Sequence, residues 1–176
     1  LTDGICREGL SRAARSLLRA YQNGDDRRAR EDMSLASLFG GLALANAKLG
    51  AVHGFAGPLG GMFGAPHGTV CARLLPLVME VNVTALRDRD PDSPALPRYQ
   101  ELARIVTGES EADAEDGVAR VRELCRELAV PPLSEFGLSE SDFPDVIEKA
   151  RGSSSMKGNP IELKTGEMER ILREAL

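Results

Sequence analysis

Apolar side chains along this chain recur at intervals of three and four residues and nowhere alternate, which restricts the fold to packed helices. Met33, Leu35, Leu38, Phe39, Leu42, Ala45 and Leu49 follow that spacing most fully and predict a helix over 26–49. Its second half is apolar nearly all round, so burial on most sides and a central place in the fold are expected. Gly40 and Gly41 lie within it, and glycines there weaken a helix unless another backbone approaches closely. Aromatic residues are 4% of the chain and Trp is absent, so the core is built mainly from Leu, Ala, Val and Ile. The first two favour helix over strand.

The remaining pattern is helical as well. Thr2 and Asp3 offer N-cap chemistry for a helix to about residue 22, where Gly24 ends it. Another is expected from His67 to about Leu86, kinked or broken near Pro76. Residues 87–97, with three Asp and three Pro, read as a surface loop. Helices then fit 98–106, 112–128, 142–150 and 166–175, the last two with polar starts at residues 139–142 and 165–167. The fold class expected is all-α, with residues 1–176 as a single helical domain.

Charge narrows the function. With 22 basic and 27 acidic residues the net charge is −5, which argues against a general nucleic-acid surface. Arg12, Arg15, Arg19, Arg27, Arg28 and Arg30 are flanked by Asp25, Asp26, Glu31 and Asp32 and read as solvated helix faces. Cys6, Cys71 and Cys125 are far apart and form neither a disulfide framework nor a zinc-knuckle pattern, so a reduced cytoplasm is the simplest compartment. Cys71 reads as a small core residue. No apolar run approaching the ~18 residues of a membrane span is read from the pattern, and no signal-peptide layout opens the chain. Residue 1 is Leu, so the expectation is a chain that starts partway through a longer protein.

Residues 50–68 differ in kind. Seven glycines, two prolines and both histidines of the whole chain fall there, with His53 and His67 fourteen residues apart. That spacing is too long for one helical face and suits a helix and a loop folding back, so that the rings converge from separate segments. Two neutral imidazoles would supply half of a four-coordinate metal site. Residue types leave a second possibility open, helix-end histidines satisfied by backbone carbonyls. Neither a dinucleotide fingerprint nor a Walker loop is present, and the G-x-x-x-G spacings suit close helix packing. Ser153–Ser155 reads as a loop. Lys157 near Asn159 is a weaker candidate for meeting a substrate carboxylate.

The run from Leu49 to Gly60, followed by Pro66-His67-Gly68, resembles the signature of iron-containing (group III) alcohol dehydrogenases, G-x-x-H-x-x-x-H-x-x-G, five residues, then P-H-G. Thr2-Asp3, Ala29-Arg30-Glu31-Asp32-Met33, Leu74-Leu75-Pro76 and Asn159-Pro160 extend the likeness over nearly the whole chain. The resemblance implies the helical C-terminal domain of that family, with the dehydroquinate synthase-like fold. It implies a divalent metal, Fe or Zn, held by an Asp and three His, with His53 and His67 at the last two histidine ligands. The Asp, the first His and the α/β domain that binds NAD or NADP are expected upstream of residue 1, so this chain alone is expected to be inactive.

Gly57 stands where the family has a middle histidine near the nicotinamide, a candidate proton relay; Gly57 and Phe63 are the positions implied to lie near the cofactor. The implied function is interconversion of a small alcohol with an aldehyde or ketone, with maleylacetate-reductase-like activity as a variant. Phe55, Met62 and Phe63 are expected as core residues or as substrate lining. A catalytically silent helical partner-binding or assembly domain is the alternative. Neither membrane nor nucleic-acid partners are expected, and self-association into a homo-oligomer is.

Overall fold

The computed structural model describes all residues 1–176. Its elements are α1 (Thr2–Gln22), α2 (Arg27–Asn46), α3 (Ala51–Phe63), α4 (His67–Arg89), α5 (Ala95–Thr107), α6 (Ala114–Glu127), α7 (Phe143–Gly152) and α8 (Thr165–Ala175), with three short 3-10 turns between α6 and α8. The all-helical expectation holds. The elements group into two compact units, residues 1–47 with 97–128 and residues 48–96 with 129–176.

In the first unit α1 and α2 form a hairpin. Asp26 caps α2 by accepting from the Ala29 N–H at 3.0 Å. Asp32, six residues further on, gathers the hairpin. It accepts from Arg12 at 2.7 Å, from Arg15 twice at 2.8 Å and from the buried Ser16 hydroxyl at 2.7 Å. Arg19 pairs with Asp26 at 2.6 Å. These arginines are therefore cross-helix ligands for carboxylates rather than merely solvated charges. α5 is tied to α1 by Arg7–Glu101 at 2.6 and 3.0 Å and by Arg98–Asp3. α6 starts on a reciprocal capping box between Asp113 and Asp116.

The expectation for α2 needs correction. Only Ala29 is fully buried on this helix, while Leu38, Leu42 and Leu44 are 55%, 43% and 53% exposed. An added Cβ at Gly40 or Gly41 meets nothing within 4 Å. The hairpin with α1 covers one stripe of α2, and an apolar pattern says nothing about how many sides of a helix find a partner.

The second unit has the larger core. Phe55, Leu59, Val70, Leu74, Leu133, Val146, Met168, Ile171 and Leu172 are almost completely covered. α4 is its spine and contributes Val70, Leu74, Leu77, Val78 and Val81. Contrary to the sequence expectation, α4 is long and apolar enough to cross a membrane by length and composition, and 61% of its apolar window is buried within the chain. It also runs through the buried Pro76 to Arg89, past the expected end near Leu86. Packing along its length outweighs the one backbone hydrogen bond that proline removes.

The glycine-rich segment yields a helix that propensity does not predict. α3 holds four glycines and Pro58 within 13 residues. Each mid-helix glycine costs about 1 kcal/mol against Ala. Burial of Phe55 and Leu59, both at 1% exposure or less, contributes about 1.5–3 kcal/mol each, with Ala51 and Ala56 beside them. Tertiary packing wins.

The Asp32 cluster makes the first unit acid-sensitive. Hydrogen bonds from Arg15 and then Ser16 hold the Asp32 carboxyl well below the usual carboxylate range. A depressed folded pKa contributes stability above the unfolded value of about 3.9 that disappears as pH falls through and below it. Urea midpoints measured from neutral pH downward should fall on the acid side. Asp32→Asn should be less stable at neutrality and flatten that decline; an unchanged acid limb would remove Asp32 from the account.

Candidate metal site

The start of α3 is fixed by a lattice of side-chain amides. Gly50 is at the N-cap position and has no side chain to satisfy the first helical N–H groups. Asn159 substitutes for it: its Oδ1 accepts from the Ala51 N–H at 3.1 Å and from Asn82 Nδ2 at 3.1 Å. Asn159 Nδ2 donates to Asn82 Oδ1 at 2.7 Å and to the Ile161 carbonyl at 2.8 Å. Asn82 is 2% exposed, in the middle of α4. Two glycines allow the approach. A Cβ at Gly54 would lie 2.8 Å from the Met156 side chain, and one at Gly158 would overlap the Leu49 carbonyl.

His53 follows two residues after this anchor. α3 ends at Gly64, whose N–H donates to the Gly60 carbonyl at 3.0 Å. Pro66, extended at φ −60° and ψ 131°, then sets His67 as the first residue of α4. The two rings meet with centroids 5.3 Å apart, tilted by 52°. Cys71, one turn into α4, has its Sγ 3.5 Å from His67 Nε2 and 3.9 Å from His53 Nε2. One donor atom from each of the three lies within 4.8 Å of the others.

Burial favours the uncharged forms of His53 and Cys71. Burial, and secondarily the charge of His67, lowers the His53 pKa. Burial raises that of the Cys71 thiol. Imidazole nitrogen and sulfur with free lone pairs, converging from two helices, fit a divalent cation of borderline softness. His67 is exposed and the other two half-buried, so solvent reaches the cluster.

The structure thus brings His53 and His67 together. Gly57 lies one turn beyond His53, exposed, and an added Cβ there meets nothing within 4 Å. Phe63 is the last residue of α3 and half-buried against the core. Phe55 is wholly core. The Met62 sulfur accepts from Lys149 Nζ at 3.5 Å. Lys157 and Asn159 line a cavity of about 420 Å³ with Arg151, Glu162 and Met168, and neither histidine borders it. Asn159 is committed to the start of α3. Cys71 is the residue the sequence reading placed in the core; its position four after His67, on the same face of one helix, was the available signal.

The family described as "Fe-containing alcohol dehydrogenase family, C-terminal" matches residues 1–176. The chain is 34% identical to 1,3-propanediol dehydrogenase of Klebsiella pneumoniae over 177 residues, covering 99% of this chain and 44% of that protein. It is 33% identical to alcohol dehydrogenase 4 of Saccharomyces cerevisiae over 176 residues, with the same two coverages. A crystal structure of 1,3-propanediol oxidoreductase superposes with a TM-score of 0.86 at 32% identity, over 99% of this chain and 45% of the other. The chain therefore spans less than half the length of the relatives it matches.

The amide lattice predicts that Asn82→Ala costs about 1–3 kcal/mol, because it strips Asn159 of two buried partners. Denaturant titration measures this. A loss below a few tenths of a kcal/mol would show that water replaces the lost amide.

Proposed function

Because the chain belongs to the Fe-containing alcohol dehydrogenase family, we propose that it is the helical metal-binding domain of an NAD(P)-dependent oxidoreductase that interconverts an alcohol with an aldehyde or ketone. The observation that carries this is the convergence of His53 and His67 from separate helices on one point. The names of the relatives, a propanediol dehydrogenase and an alcohol dehydrogenase, support the substrate class. When bound, a divalent metal supplies Lewis-acid polarisation of the substrate oxygen, and a nicotinamide supplies or accepts the hydride.

The chain's own residues hold and aim. His53 and His67 offer ring nitrogens to the metal. The Asn82–Asn159 pair sets the start of α3, and so the register of His53. Gly57 offers no group that can carry a proton, and space lies open beside it. Proton transfer to the substrate oxygen at this position falls to water. Phe63 and Gly57 remain the proposed positions on the cofactor side.

A second reading, a catalytically silent assembly domain, draws on one observation. Leu35, Leu38, Leu42 and Leu44 of α2 present an exposed apolar face of the kind that packs against another polypeptide. Metal content separates the two.

The complete protein, isolated with its upstream region, should contain about one Fe or Zn per chain. His53→Ala and His67→Ala should each lose that metal while the far-ultraviolet helical signal is unchanged. Stoichiometric metal in either variant, or none in the parent, defeats the assignment. In the same protein, Gly57→His should add an ionisation near pH ~6.5 to the pH dependence of kcat. An unaltered profile would exclude position 57 from proton transfer.

A further inference from the structure

We propose a second binding site in the second unit: the cavity of about 420 Å³ beside α8 takes a small organic phosphate, held by Lys157, Arg151 and the backbone of residues 161–163. It is separate from the histidine pair, neither member of which borders it.

The loop between α7 and α8 forms the wall of this cavity, and the core closes its floor with Leu163 and Met168, at 6% and 1% exposure. Two cations and one carboxylate, Glu162, belong to the lining. The Lys157 ammonium forms no ion pair and no hydrogen bond within the chain, and Glu162 does not neutralise it. Glu167, the first acid of α8, is already engaged, accepting from the Lys164 N–H at 2.7 Å and pairing with Arg89 at 3.0 Å. Arg151 donates through Nη2 to the Thr165 hydroxyl at 2.7 Å, which steadies the guanidinium and leaves its other N–H groups for a ligand.

The backbone of the loop makes the same demand. The Gly158 and Asn159 N–H groups donate to the Ser155 and Met156 carbonyls at 3.0 Å. Those of Ile161, Glu162 and Leu163 find no acceptor in the chain. Successive free N–H donors beside two cations suit a phosphoryl group, whose oxygens accept several charge-assisted hydrogen bonds at once. The volume falls within the range of about 300–1,000 Å³ typical of small-molecule pockets and exceeds what inorganic phosphate fills. Met156, Ile161 and Met168 offer apolar surface to a short carbon body.

Proton–nitrogen correlation spectra of the 176-residue chain, titrated with inorganic phosphate and with glycerol 3-phosphate at constant ionic strength, test this. Amide resonances of residues 157–163 should shift saturably with both probes, glycerol 3-phosphate binding the tighter, and the melting temperature should rise with each. Glycerol should shift nothing. Lys157→Ala, which breaks no native ion pair or hydrogen bond, should weaken glycerol 3-phosphate about fivefold. Glu162→Gln should tighten it, and His53→Ala should leave it unchanged. The proposal is overturned by the absence of a saturable shift in this loop, by equal shifts with sodium chloride alone, or by unaltered affinity in a folded Lys157→Ala chain. Butyrate or inorganic phosphate binding more tightly than glycerol 3-phosphate overturns it as well.

Discussion

A helix whose N-cap is glycine needs its first N–H groups satisfied from elsewhere, and in the second unit that need is met by Asn159. The same amide is locked to Asn82 by bonds in both directions, inside a region where an unpaired polar group costs about 1–3 kcal/mol. This pair fixes three things together: the start of α3, the middle of α4, and the segment around residue 159. Gly54 and Gly158 are small where those segments touch, and a side chain at either would push them apart. The position of His53 follows from these contacts, two residues from the anchored N–H.

The other half of the site is set by a short connection. Gly64 ends α3, Pro66 holds extended backbone, and α4 begins on His67. Cys71 then comes into place one helical turn later. Partial burial keeps His53 and Cys71 in their uncharged forms, in which the imidazole has a lone pair to give. The family likeness implied two ligands, and side-chain geometry adds sulfur next to both.

In the first unit, charge does what apolar packing does in the second. α1 and α2 bury only Ser16 and Ala29 fully, and their common polar centre is Asp32 with Arg12, Arg15 and Ser16. A carboxylate that accepts several charge-assisted hydrogen bonds holds two helices in one register, whereas exposed single pairs contribute little. The leucines of α2 stay outside this arrangement, which explains how an apolar helix comes to be exposed.

The sequence by itself determined that the fold is all-helical, where most helices other than α3 start and stop, and, through the family motif, that His53 and His67 belong together. Those properties are local: spacing, capping residues and punctuation act within a few residues, and the histidine motif is contiguous. It did not determine that 51–63 is helical, that α2 is exposed, or that Cys71 faces the histidines. Local propensity runs against a helix with four glycines and a proline, and only the burial of Phe55 and Leu59 reverses the balance. Exposure of α2 depends on which surfaces come to meet it, and periodicity is silent on that. The thiol's place beside both imidazoles depends on a distance across two helices, and the amide lattice between residues 77 apart in sequence that anchors the start of α3 exists only once the chain has folded.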